Sequence, residues 1–258
     1  MTTVLDLPHA AGAFAAAFLA GAINSVAGGG TLVSFPTLIW LGLDSIGANA
    51  TSTVAIWPGT VGSAWGYRRE LKGVEPRFLA MIVPSLGGGI LGAILLKLTP
   101  TSVFDRLVPF LILFATLLFM GQEPVQRALK TGDAATRRST GWFVGGLLFQ
   151  FGVGLYGGYF GAGIGILMLA ALSVLGLRDI HEMNSLKVVL GGSVNGIAAV
   201  YFIWARMVFW PYVVLMAVAA ILGGYLGAGT ARKMGRDAVR RIVILIGLGM
   251  AISLFVKH

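Results

Sequence analysis

The chain has 258 residues, of which 57% are hydrophobic and only 11% charged, with a mean hydropathy of +0.86. Soluble domains carry about 25% charged residues, so a soluble protein is excluded and a polytopic all-α membrane protein is expected. The net charge of +9 has no soluble domain through which to meet nucleic acid, and the absence of cysteine excludes disulfides, thiolate metal sites and cysteine nucleophiles.

The start, Met1–Ala10, lacks the basic opening of a signal peptide, so the first apolar run is expected to be retained. That run, 10–42, is interrupted by "NSVAGGGT" (Asn24–Thr31). Glycine costs about 1 kcal/mol against alanine in a helix, so three in succession predict a break. A break inside lipid is tolerated only where protein or a polar cavity covers the backbone. Spans are then expected over 48–67, 78–98 and 103–120. After a linker at 121–140 the second half follows the same plan: a broken segment at 141–176, then spans at 183–204, 208–230 and 239–256.

The two halves resemble each other in detail. "GGILGA" at Gly88–Ala93 returns as "GGYLGA" at Gly223–Ala228, an offset of 135 that also pairs Asn49 with Asn184. Near the start of each half the offset is 133, which sets Gly28–Thr31 beside Gly161–Ile164. The reading is one membrane domain, 1–258, with repeat 1 at 10–120, a cytoplasmic linker at 121–140 and repeat 2 at 141–256. Loop charge chooses between topologies. If each broken segment enters and leaves on one side, fifteen of the 19 Lys and Arg residues face one compartment and Lys97, Arg106, Arg206 and Lys257 the other. A single crossing per broken segment removes the asymmetry, so the positive-inside rule favours hairpins, re-entrant or made of two short spans. Each half then makes an odd number of net crossings. The repeats are therefore inverted, and both termini are extracytoplasmic.

Inverted repeats with discontinuous helices are characteristic of secondary transporters. A helix N-terminus carries unpaired N–H groups and about half a positive charge, which attract anions. Two such termini are expected after Gly28, Gly29 and Gly30 and after Gly161 and Gly163, although glycines also serve close helix packing. Lys187 lies early in a span; a cation in a span costs up to about 2.5–3.5 kcal/mol, the figure for the helix centre, unless it meets an anion, a partner or the interface by snorkelling. Asn24, Ser25, Thr31, Asn49, Thr51 and Ser52 in one half, and Gln150, Tyr156, Asn184, Ser185, Ser193 and Asn195 in the other, offer hydrogen bonds to an oxyanion or between helices. Acidic residues keep to loops and span ends, which argues against cation transport. Three scattered histidines make no metal site, and neither cofactor nor catalysis is expected.

The stretches "INSVAGGGTLVSFPTL" (Ile23–Leu38), "ANATST" (Ala48–Thr53), "YGGYFGAGIG" (Tyr156–Gly165) and "NSLKVVLGGSVN" (Asn184–Asn195) resemble the sulfite exporter TauE/SafE family over essentially the whole chain. The resemblance implies a transporter of sulfite, sulfonate, sulfoacetate or a similar small oxyanion across the bacterial inner membrane. The substrate-binding set expected is Asn24, Ser25, Gly28, Gly29, Gly30, Thr31, Asn49, Ser52, Tyr156, Gly161, Gly163, Asn184, Lys187 and Asn195. The chain departs from the family pattern at Gly157, where an acidic residue is common, at Ala162, where proline is common, and at Ser52–Thr53, where some members carry a lysine. The expected partners are a small anion and the lipid bilayer, with a homodimer left open. An anion channel and a proton- or sodium-coupled uptake permease are the alternatives, and a membrane scaffold is a third.

Overall fold

The computed structural model describes residues 6–26, 29–66, 70–129, 140–175, 177, 180–234 and 236–257. It is helical throughout, with no strand among the described residues. In chain order the helices are α1 (Leu7–Val26), α2 (Thr31–Trp40), α3 (Ser45–Gly66), α4 (Pro76–Leu79), α5 (Ile82–Leu98) and α6 (Thr101–Leu129). There follow α7 (Thr140–Tyr159), α8 (Ile164–Val174), α9 (Ile180–Trp204), α10 (Trp210–Met234) and α11 (Arg236–Lys257), and a short 3₁₀ turn occupies Glu70–Gly73.

Both predicted breaks are present, but their arms are unequal. The 20 residues each of α1 and α7 rise about 30 Å, whereas the 10 of α2 and the 11 of α8 rise about 15–17 Å, half of a bilayer core. Two further boundaries differ from expectation. The span expected at 78–98 divides into α4 and α5, because Pro84 has no N–H to offer the carbonyl of Ala80. Instead the chain tightens, with Met81 N–H on Phe78 O at 3.1 Å and Val83 N–H on Ala80 O at 3.2 Å. Helix α6 runs on to Leu129, into the expected linker, since hydropathy marks where lipid ends and not where a helix ends. Four helical segments among the described residues, Leu7–Asn24, Pro76–Leu98, Thr101–Gly121 and Glu182–Trp204, are long and apolar enough to cross a membrane.

Glycine sets how closely the helices cross. A Cβ at Gly223 of α10 would lie 1.9 Å from Phe18 O of α1, and one at Gly88 of α5 would lie 2.3 Å from Phe151 O of α7. A Cβ at Gly21 would meet Ala220 O at 2.1 Å, and one at Gly154 would meet Ser85 O at 3.0 Å. The partners are the same in exchange: Gly88 and Gly223 are 135 apart, as are Ser85 and Ala220, while Phe18 and Phe151, like Gly21 and Gly154, are 133 apart. The α1–α10 crossing and the α5–α7 crossing are thus built alike, at the two offsets seen in the sequence.

Between these crossings α3 meets α9. Trp57 Nε1 donates to Gly192 O at 3.1 Å, and a Cβ on Gly196 would touch the same indole at 2.9 Å. Helices α6 and α11 close the outside, with Phe110 and Phe255 edge to face at 5.0 Å. Aliphatic side chains Val214, Val218 and Leu222 leave an exposed apolar row on α10 of the kind that faces lipid. At the end where α5 and α9 finish, Trp204 and Trp210 are exposed and Lys97 Nζ sits 5.5 Å from the Trp204 ring, as at a membrane interface.

Candidate functional site

The two helix breaks meet. They share a cavity of about 560 Å³ whose described lining includes Leu169 of α8, Thr60 of α3 and Tyr225 of α10.

The first turn is made by Gly29, at φ +89°, and by Gly30, which precedes α2. Gly30 N–H donates to Asn24 Oδ1 at 2.8 Å, and Leu32 and Val33 N–H close on Gly29 O and Gly30 O at 2.9 Å each. With its carboxamide oxygen so occupied, Asn24 has its N–H₂ end left for the cavity it lines. The second turn uses two left-handed glycines, Gly161 at φ +84° and Gly163 at φ +79°. It is pinned by Tyr156, whose hydroxyl donates to Ala162 O at 2.8 Å. Helices α2 and α8 therefore begin at one cavity, and their dipoles direct partial positive charge into it.

Lys187 adds a full charge. It is the eighth residue of α9, which starts at Ile180, three residues before the expected span. Its methylenes run along the first turn of α8, where a Cβ on Gly165 would be 3.3 Å from Lys187 Cδ. Its Nζ donates to Asn184 Oδ1 at 3.0 Å. Among the described lining residues there is no Asp or Glu.

Of the expected site residues, Asn24, Gly29, Thr31, Gly161, Gly163, Lys187 and Asn195 line the cavity. Gly30 is buried behind its turn, where a Cβ would strike Ala20 O at 2.4 Å. Tyr156 acts on the second turn from behind, and Asn184 holds Lys187. Asn49 is buried and donates to Tyr159 O at 3.0 Å, and Ser52 is bonded to Ser34 at 2.7 Å, so neither lines the cavity. Gly28 and the side chain of Ser25 lie outside the described residues.

Thr53 and Thr60 line the cavity although neither was expected there. Their hydroxyls donate to Asn49 O at 2.9 Å and Trp57 O at 2.6 Å, so their lone pairs are what they present. Thr60 was legible in one way: the offset of 135 pairs it with Asn195. At Gly157, the packing has no room for an acidic side chain, since a Cβ would come within 2.7 Å of Val194 Cγ1.

Apolar helices of spanning length around a cavity with a few polar groups in a mainly apolar wall fit a multi-pass membrane transporter. The chain belongs to the sulfite exporter TauE/SafE family, whose model matches residues 13–254. It is 28% identical over 242 residues to a probable membrane transporter protein, ORF9, of Sinorhizobium sp., covering 93% of this chain and 90% of that one. It is 27% identical over 239 residues to a probable membrane transporter protein of Haemophilus influenzae, covering 92% and 91%. To the probable membrane transporter protein YfcA of Escherichia coli K12 it is 25% identical over 242 residues, covering 93% and 87%. No solved structure matches the chain. These transporter relatives are consistent with a protein that is not an enzyme.

Proposed function

We propose that the chain carries a small oxyanion of the sulfite, sulfonate or sulfoacetate type across the bacterial inner membrane by alternating access, in the direction of export. The observation that carries this reading is the cavity where two helix N-termini and Lys187 converge with no lining carboxylate among the described residues. Such a site favours negative charge and, among the described lining residues, offers no carboxylate to relay a proton. An inside-negative potential supplies about 2.3 kcal/mol per charge per 100 mV, so anion export runs without coupling.

The halves are inverted repeats about an axis in the membrane plane, with both termini extracytoplasmic. The reciprocal glycine crossings support a two-fold exchange of the halves, which turns Gly88 on Phe151 into Gly223 on Phe18, and the loop charges support an axis in the membrane plane. A transporter is favoured over a channel because the side of the turns away from the cavity is filled by Phe35 and Phe160, buried and edge to face at 5.4 Å.

The test is efflux of sulfite and of sulfoacetate from proteoliposomes at set potentials, with chloride as control. Saturable oxyanion flux that rises with inside-negative voltage, and that counter-substrate on the far side accelerates, is the expected result. Absence of flux for every oxyanion from folded protein overturns the substrate class, and unitary currents overturn the transporter in favour of a channel.

A further inference from the structure

The cavity is asymmetric in a molecule whose helix crossings are not. In the second half it takes in Gly165, Ile166 and Leu169 of α8 and Lys187 of α9. At the offsets of 133 and 135 their counterparts in the first half are Leu32, Val33 and Pro36 of α2 and Ser52 of α3. Leu32 and Ser52 are buried, to 1% and 0% exposure, where Gly165 and Lys187 are only half-buried, and Val33 and Pro36 line a separate cavity against α11. The α8–α9 seam is open to the cavity, and the α2–α3 seam is shut.

What shuts it is specific to the first half. Ser34 Oγ and Ser52 Oγ, both fully buried, lie 2.7 Å apart across the seam. In the second half the counterpart of Ser34 is Leu167, which has no hydroxyl, and that of Ser52 is Lys187. A buried hydroxyl pair can be parted only if each group then meets water or another partner, so it suits a latch that releases into a hydrated cavity.

We propose that the α2–α3 seam is the second gate of the transport cycle, latched in this structure by the Ser34–Ser52 hydrogen bond. When the seam opens, the cavity faces the opposite side of the membrane and takes in Leu32 and Ser52, while the α8–α9 seam closes around Lys187. The tight α1–α10 and α5–α7 crossings keep their contacts through the change. This rests on the alternating-access reading and adds to it the location of the gate and its latch.

The absence of native cysteine makes the test direct. Single-cysteine variants Leu32→Cys and Gly191→Cys report on the closed seam and on the cavity, and a membrane-impermeant maleimide is applied from each face of oriented vesicles. Gly191→Cys should label from one face and Leu32→Cys, more slowly, from the other. Adding Ser34→Ala should speed labelling of Leu32→Cys about fivefold, the effect of losing one net hydrogen bond, and slow that of Gly191→Cys. Labelling of both positions from the same face, no labelling of Leu32→Cys in either background, or rates indifferent to Ser34→Ala would overturn the proposal. A Ser34→Cys/Ser52→Cys pair provides a second readout. Once its disulfide is verified, oxyanion flux should stop and return on reduction, and undiminished flux through the cross-linked protein refutes the gate. The labelling needs no substrate, so it tells a wrong gate from a wrong choice of anion.

Discussion

Lys187 reaches the cavity across Gly165: its methylenes fill the space that a side chain at that position would take, 3.3 Å from where the Cβ would be. The ammonium is held at 3.0 Å by Asn184, one turn earlier on the same helix. A lysine braced in this way stays beside the start of α8, where the proposed anion would bind, in contrast with one that snorkels freely to the interface.

Replacing Lys187 with Gln should therefore lower oxyanion flux at least about tenfold, the loss of one charge-assisted hydrogen bond, while the protein still folds. Lys187→Arg should keep part of the activity. Initial rates in proteoliposomes at matched protein density check this, and full activity of the Gln variant would make the lysine an interface anchor.

Gly165→Val should reproduce much of that loss without removing the charge. The branched side chain has to push Lys187 Cδ out of its track. Substrate concentration dependence of flux distinguishes a displaced lysine from a missing one, since the Val variant should recover at high substrate and the Gln variant less so.

Asn24→Asp tests the first turn. A carboxylate still accepts the Gly30 N–H, so the turn is kept, but it replaces the N–H₂ donors with negative charge at the cavity wall. The expected result is anion affinity weakened about tenfold or more with thermal stability little changed, read by flux and by melting in detergent.

Two glycine-to-alanine changes separate packing from propensity. Gly223→Ala puts a methyl 1.9 Å from a backbone carbonyl of α1 and should destabilise by about 1–3 kcal/mol or more, seen as a lower detergent melting temperature. At Gly152 a Cβ meets nothing within 4 Å, so Gly152→Ala should be neutral or slightly stabilising, by about 0.5–1 kcal/mol. Equal melting of the two variants would contradict the interlocked crossing.

Gly163→Ala probes backbone strain with little steric conflict, because the nearest atoms are at 3.6 Å while φ is +79°. The left-handed conformation costs a residue with a Cβ about 1–2 kcal/mol. Flux should fall, and it should fall more than stability does, because the strain is relieved by moving the α8 N-terminus away from the cavity.

Much of the fold was legible in the sequence because lipid imposes simple rules. Apolar length announces spans, and consecutive glycines announce breaks, so both breaks stand where "NSVAGGGT" and "YGGYFGAGIG" place them. The repeat was legible for a geometric reason as well. Backbones that approach within a methyl radius permit only glycine, and the offsets between such glycines recur as the reciprocal contacts of Gly88 and Gly223.

The site was legible only in part, and α3 shows why. Ser52 and Thr53 are neighbours of equal polarity, yet Ser52 turns to Ser34 while Thr53 turns to the cavity. Successive residues on a helix point about 100° apart, and in a bundle every polar side chain avoids lipid whether it binds substrate or another helix. Hydropathy therefore cannot separate the two roles. From sequence alone the chain is determined as an all-helical membrane protein with two glycine breaks and a lysine early in one of its spans. Which polar groups share the cavity, and which of the two equivalent seams stands open, was decided by helix rotation and packing, because those depend on contacts between residues more than a hundred positions apart.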